Sequence, residues 1–145
     1  MSTLSPIHWA LLADPKKYRI DDAVRHLVMD TWTTKGKPIH TGDRVIIWRA
    51  SGGRGPRGIV ALGVVLSEPR LLSDADNPYW LEPPVSEERV LVRYCTAPAL
   101  PLWLGDTHDA ILRDLSVSKA RGGTVFHITD DQWDQITAAL GGDPT

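Results

Sequence analysis

Glycine and proline divide the apolar residues of this chain into short runs, and this spacing limits the possible folds more than any other feature. The 12 glycines and 11 prolines lie between the apolar runs of the 145 residues. Short runs rich in valine and isoleucine are typical of β-strands joined by tight turns. No run approaches the length of a membrane span. We therefore expect one strand-rich domain over residues 1–145, with a core at about residues 7–140.

The periodicity of these runs predicts the order of the elements. Strands are predicted for HWALLA (8–13), RVIIWRA (44–50), GIVALGVVL (58–66), RVLVRYC (89–95) and GGTVFHIT (122–129). Helices are predicted for IDDAVRHLVM (20–29), THDAILRDL (107–115) and the segment after Thr129, where Thr129 and Gln132 fit a capping box. Residues 44–66 should form an antiparallel pair with a glycine-rich tip. The order lacks regular β-α-β alternation, so the predicted fold class is α+β, with about five to six strands in a curled, antiparallel-type sheet and about three helices.

Several kinds of catalytic and cofactor site are excluded by the motifs. The segment GRGPRG (53–58) matches a dinucleotide-binding pattern, but a predicted strand follows it where that pattern needs a helix. The five histidines show no metal-ligand spacing, and Cys95 is the only cysteine, expected to be an ordinary core residue. No nucleophile motif surrounds any serine. The sequence thus predicts no cofactor, no metal and no catalytic residue.

The charged residues are distributed unevenly. The net charge is −2, yet residues 31–67 contain six basic residues and one acidic residue. Such asymmetry favours one basic face for an anionic partner, although a solvated hairpin with scattered arginines would give the same counts. By position and charge, Lys35, Arg54 and Arg57 are the candidate phosphate contacts.

Two of the six tryptophans, Trp32 and Trp80, lie outside apolar runs and beside polar residues. Flat indole faces suit a planar base, so both are candidates for a base-binding pocket, although each would also serve to fix a loop to the sheet. Trp9, Trp48 and Trp133 follow strand or helix patterns and are expected in the core; Trp48 would also border a pocket if its strand lines one.

Five segments carry a family resemblance when they are taken together: HWALLADPKKYRIDDAV, the TW before a lysine, IHTGDRVIIWRA, GIVALGVVLSEP and GGTVFHITDDQWDQI. They resemble the EVE domain family of the PUA-like superfamily, which is related to YTH domains. The resemblance implies a PUA-like curled β-barrel flanked by helices. It also implies a pocket for methylated or hydroxymethylated cytosine, or for methylated adenine. Trp32 takes the first cage position and Thr33 follows it. Asp14 falls where relatives read the base edge, and Tyr79 or Trp80 falls where the second wall comes from.

The resulting hypothesis is a non-catalytic module that binds DNA or RNA by receiving a flipped, modified base in an aromatic cage. Its expected partners are nucleic acid carrying a modified base and a restriction or modification enzyme, with no membrane. A cytoplasmic location is expected because the N-terminus has no signal-peptide pattern. The alternative hypothesis is a nucleoside- or RNA-processing enzyme, or a small-molecule binder, of the same superfamily, with His8, Asp14 and Lys35 around the pocket.

Overall fold

The computed structural model describes residues 5–145, which fold as eight strands and four helices. The strands are β1 (His8–Ala13), β2 (Met29–Thr33), β3 (Arg44–Arg49), β4 (Gly58–Val65), β5 (Arg70–Leu72), β6 (Glu87–Cys95), β7 (Leu102–Trp103) and β8 (Val125–Ile128), and the helices are α1 (Ile20–His26), α2 (Asp109–Arg113), α3 (Ser116–Lys119) and α4 (Asp130–Ala139). Within the described part of the chain, no helix is long and apolar enough to span a bilayer.

All strands belong to one curled, mixed sheet with the order β2-β6-β4-β3-β1-β8. The short strands β5 and β7 pair with β6 and β4 outside this path. The predicted α+β class and curled sheet are confirmed. The sheet is not wholly antiparallel, however, because β1 and β3 pair in parallel. A parallel pair needs a long crossover, and α1 and β2 supply it here.

The core lies on both faces of the sheet. Alternate residues of β3 point to opposite sides, so that Val45 and Ile47 join one apolar cluster while Ile46 and Trp48 join the other. The eight positions of β4 are all buried, because both of its faces are covered. We call the two clusters the first core (that of Val45 and Ile47) and the second core (that of Ile46 and Trp48). Helix α4 covers the second core with Trp133 and Ile136.

Local sequence explains the turns and helix ends that hold these layers. The predicted hairpin of β3 and β4 is confirmed by their antiparallel register. The capping box is also confirmed, since Thr129 and Gln132 exchange hydrogen bonds at the start of α4. At Gly58 a Cβ atom would lie 2.0 Å from the Leu102 carbonyl oxygen, so only glycine lets β7 approach β4 this closely.

Helix α1 is shorter than the helix predicted over residues 20–29. Helix α1 ends at His26, and Val28 and Met29 are 70% and 50% exposed instead of completing an apolar helix face. The polar segment that follows contains a strand that periodicity did not predict. This strand, β2, pairs with β6 from Met29 to Thr33, and Trp32 therefore sits in the sheet rather than in a loop.

The helix predicted at residues 107–115 is the shorter α2, and Leu115, in extended conformation, separates it from α3, which was not predicted. Leu112, Leu115 and Val117 are all buried in the second core. Leu112 and Leu115, three residues apart, would share one face of a continuous helix, whereas Val117 would point to another side. The break before α3 therefore lets Val117 reach the same cluster.

Candidate ligand-binding cavity

A cavity of about 450 Å³ opens at the edge of the sheet where β2 and the start of β6 lie beside the end of β1. Its lining comes from residues 12–18, from β2 and the turn after it, from residues 80–89, and from Gly123 and Thr124. The volume falls in the range of about 300–1,000 Å³ that small-ligand sites occupy. Four separate parts of the chain thus form one concave surface.

Five of the predicted site residues line this cavity. They are Asp14, Trp32, Thr33, Lys35 and Trp80. Trp32 and Thr33 lie on β2, and Lys35 occupies the next turn with a φ of 48°, a left-handed conformation that is uncommon for lysine. Its backbone N–H donates to Thr33 Oγ1 at 3.2 Å. The turn therefore holds a cation beside the buried indole.

Trp48 and Tyr79 lie elsewhere. The expectation that Trp48 borders the pocket is not met, because its position on β3 directs it into the second core, where it is 0% exposed. Tyr79 packs against the outside of the first core, with the Arg19 guanidinium 5.9 Å from its ring centre. The second aromatic wall of the cavity is thus Trp80.

The cavity contains a third aromatic ring that the sequence did not single out. The Tyr18 ring lies 6.4 Å from Trp32, edge to face, and 4.6 Å from Trp80, tilted by 54°. An isolated β-bridge between Tyr18 and Trp80 fixes the loop of Trp80 to the segment before α1. Because Tyr18 contacts both indoles, the three rings form one aromatic wall.

A buried hydrogen-bond network fixes this wall from behind, and Asp30 is its centre. The phenols of Tyr18 and Tyr94 each donate to Asp30 Oδ2 at 2.6 Å. Trp32 Nε1 donates in turn to the Tyr94 hydroxyl at 2.9 Å. Asp30 is 5% exposed, and burial raises the pKa of its carboxyl above the ordinary value. Burial and the nearby Asp30 also raise the pKa of both phenols. The tyrosines therefore remain hydrogen-bond donors.

A second branch of the network holds Trp80. Its Nε1 donates to Asp74 Oδ2 at 2.5 Å, and Thr31 Oγ1 donates to Asp74 Oδ1 at 2.9 Å. Asn77 Nδ2 lies between the branches, since it donates to the Tyr18 hydroxyl and to Asp74. Trp32 and Trp80 are thus positioned by one continuous set of polar contacts.

Arg89, at the start of β6, brings a buried cation to the cavity. It is 3% exposed, and its Cζ lies 5.6 Å from the centre of the Trp80 ring. Nη1 donates to the Thr31 carbonyl at 3.3 Å, and Nη2 lies 4.0 Å from Glu87 Oε1. Nε is buried and has no hydrogen-bond partner within residues 5–145.

The mouth of the cavity carries charges of both signs. Lys17 Nζ lies 3.9 Å from Glu82, and Lys35 Nζ lies 3.5 Å from Glu87. The side chains of both lysines are more than half exposed. Exposed pairs of this kind contribute little free energy, so each lysine is available to another anion.

The four arginines of residues 31–67 are spread along the β3–β4 hairpin. Arg44 and Arg49 stand at opposite ends of β3, and Arg49 pairs with Asp21. Arg57 donates to the Ser118 carbonyl at 2.7 Å, whereas Arg54 is exposed at the tip of the hairpin. That tip lies against the turn before α1, since a Cβ at Gly52 would be 3.3 Å from Pro15. The tip therefore borders the same side of the molecule as Asp14 and Lys17.

Of the three residues named for the enzymatic alternative, Asp14 and Lys35 line the cavity and His8 does not. His8 stacks on Trp133 at 4.6 Å and contacts Asp130, away from the cavity that contains Asp14 and Lys35. Cys95 is buried, and burial raises the pKa of its thiol. Over the described range, no cluster of three or more His, Cys, Asp or Glu side chains could hold a metal ion.

Sequence reasoning missed several residues of the cavity and of the network behind it, among them Lys17, Tyr18, Asp30 and Arg89. The signal for Asp30 was its spacing in MDTWT, because residues two apart share a strand face and Asp30 therefore accompanies Trp32. Arg89 had no signal, since an arginine at the start of a strand is usually exposed.

The chain thus forms a curled α+β sheet with an aromatic-lined cavity at its edge. The chain belongs to the EVE domain family, whose model matches residues 7–139. No curated protein matches the sequence significantly.

Solved structures share this fold over nearly the whole chain. A hypothetical protein from Leishmania major has a TM-score of 0.68 at 13% identity, covering 94% of this chain and 96% of its own. A protein from Agrobacterium tumefaciens has a TM-score of 0.64 at 16% identity, with coverages of 96% and 97%. The human THYN1 protein, in complex with DNA containing 5-methylcytosine, has a TM-score of 0.63 at 13% identity, with coverages of 95% and 99%. At these identities the likeness establishes the fold.

Proposed function

We propose that this protein is a non-catalytic reader that binds DNA or RNA by receiving one flipped, modified base in the cavity of Trp32 and Trp80. The observation that carries the proposal is a single cavity of about 450 Å³ that combines an aromatic wall, a buried arginine and two exposed lysines. The human protein of the same fold, THYN1, was solved with DNA containing 5-methylcytosine. Family and fold therefore support a modified base as the ligand.

The aromatic wall would supply the stacking energy that holds the base outside the helix. Removing a base from its stack costs a few kcal/mol, and each aromatic contact returns about 1 to 3 kcal/mol. Asp14 offers only hydrogen-bond acceptors at the cavity edge, so it would favour an amino group on the base, as in cytosine or adenine. Methylated or hydroxymethylated cytosine and methylated adenine meet this requirement.

The first prediction concerns ligand choice. Otherwise identical DNA and RNA probes with one 5-methylcytosine, 5-hydroxymethylcytosine, N6-methyladenine or unmodified base should bind with different affinities, and one modified probe should bind tightest. Fluorescence anisotropy measures the affinities, and mass spectrometry of the recovered probe measures any turnover. Equal affinity for all probes would contradict the proposed reader function. A chemically altered base in the recovered probe would favour the enzymatic alternative.

The backbone of the probe would contact the basic residues around the mouth. Lys17 and Lys35 exchange their glutamate partners for phosphates in this proposal, and Arg54 and Arg57 meet phosphates farther along the strand. In this proposal, any chemistry on the marked nucleic acid is carried out by a separate enzyme. We expect a restriction or modification enzyme as that partner.

The second prediction concerns salt. Two double variants should each weaken the binding of modified and unmodified probes equally. They are Lys17→Ala/Lys35→Ala and Arg54→Ala/Arg57→Ala. Each lost phosphate contact lowers the slope of log affinity against log salt by about one. Titrations at several salt concentrations measure this slope. Arg113→Ala, an exposed arginine on α2, is the matched control and should leave it unchanged. If a double variant has the same slope as Arg113→Ala, its two residues do not contact phosphate.

A further inference from the structure

Arg89 is a buried cation whose hydrogen-bonding capacity is largely unused. Of its five N–H donors, one reaches the Thr31 carbonyl at 3.3 Å, while buried Nε reaches no acceptor among residues 5–145. The nearest carboxylate oxygen, Glu87 Oε1, lies 4.0 Å from Nη2 and is beyond hydrogen-bond distance. A guanidinium cannot lose its proton to relieve this cost, so an outside acceptor would stabilise it.

The position of Arg89 indicates which part of a nucleotide supplies that acceptor. Its side chain is 4% exposed, whereas those of Lys17 and Lys35 are 59% and 51% exposed. The phosphate backbone remains outside a cavity that receives a single base, where the lysines can reach it. Arg89 lines the cavity beside Trp80, where a flipped base would enter.

We propose that Arg89 is a specificity-determining residue that donates a hydrogen bond to a carbonyl oxygen or ring nitrogen of the bound base. This inference rests on the proposed function and narrows its ligand class. A neutral base modified on carbon or on its exocyclic amino group keeps such an acceptor. A base methylated on a ring nitrogen, such as 3-methylcytosine, loses the acceptor at that nitrogen, keeps its carbonyl oxygen and gains a positive charge. The buried guanidinium therefore selects the first kind and repels the second.

The test uses DNA duplexes that differ at one nucleotide, which is 5-methylcytosine, N6-methyladenine, 3-methylcytosine or an abasic site. The wild-type protein should bind at least one of the first two more tightly than the abasic and 3-methylcytosine probes. Arg89→Gln should weaken binding of that preferred probe by about 10- to 100-fold. The substitution should leave the affinity for the abasic probe unchanged. It should also reduce the difference in affinity between the preferred probe and the 3-methylcytosine probe.

Two controls separate this role from structural and phosphate roles. Arg93→Gln makes the same change at an exposed position of the same strand, and it should keep wild-type discrimination. Arg89→Lys keeps the charge without the planar fork and should lose part of the discrimination. If Arg89→Gln does not fold, as judged by its thermal melt, Arg89→Lys carries the comparison.

The outcomes distinguish the two proposals. If wild-type protein binds abasic and base-bearing probes equally, the proposed function itself fails. If wild-type protein discriminates but Arg89→Gln weakens every probe equally, including the abasic one, Arg89 does not read the base and only this inference is overturned. A lower salt slope in Arg89→Gln would instead assign Arg89 to phosphate.

Discussion

Replacing Trp32 with alanine is expected to remove the preference for a modified base and to destabilise the fold at the same time. Trp32 is 7% exposed, and removing a buried tryptophan side chain costs about 3 to 5 kcal/mol. Loss of its stacking face should weaken the modified probe by about 1 to 3 kcal/mol. Urea unfolding measures the first effect, and anisotropy with modified and unmodified probes, at a temperature where the variant stays folded, measures the second.

The control for Trp32 is Trp103→Ala, because Trp103 is partly buried against the first core but does not line the cavity. This variant should lose stability and retain discrimination. Trp32→Phe keeps an aromatic face without the hydrogen bond to Tyr94, so it should retain part of the preference. Full discrimination by a folded Trp32→Ala variant would rule out the stacking role.

Asp30→Ala is expected to be the most damaging single change behind the cavity. It leaves the phenols of Tyr18 and Tyr94 without their shared acceptor in a buried site. Each orphaned donor costs about 1 to 3 kcal/mol, so the free energy of unfolding should fall by roughly 2 to 6 kcal/mol. Because the same contacts position Trp32, binding of the modified probe should weaken as well. Urea unfolding and anisotropy measure the two effects.

Asp76→Ala supplies the comparison for Asp30, since Asp76 is an exposed aspartate in the loop that carries Trp80. Surface substitutions of this kind change stability by about 0.5 kcal/mol or less. Asp30→Asn retains one acceptor oxygen for the phenols and should be milder than Asp30→Ala. Equal stability of Asp30→Ala and Asp76→Ala would show that the network contributes nothing to the fold.

Much of the fold could be predicted because local signals and burial agreed. The β-branched runs of β3 and β4 identified a hairpin, and Thr129 with Gln132 identified the start of α4. Strand β2 escaped prediction because MDTWT has little apolar content, and its strand conformation comes from pairing with β6. The parallel pairing of β1 with β3 is likewise a long-range property that periodicity does not encode.

The site was predictable where a residue contradicted its surroundings. Trp32 and Trp80 stood out as large aromatics among polar residues, and both line the cavity. Tyr18 and Arg89 did not stand out, because their roles depend on residues far away in the chain. Trp48 illustrates the opposite error, since its strand was assigned correctly but the face it points to depends on how the sheet curls.

The two indoles of the cavity are held by different kinds of structure, so a change at one of them need not affect the stability of the sheet. Trp32 belongs to a paired strand, whereas Trp80 projects from residues 73–86, which form no strand beyond the single bridge to Tyr18. Insertions or exchanges in that loop would alter the size and chemistry of one wall while the sheet and its core stay intact. Changes confined to this loop would therefore reshape one side of the cavity and leave the side formed by β2 unaltered.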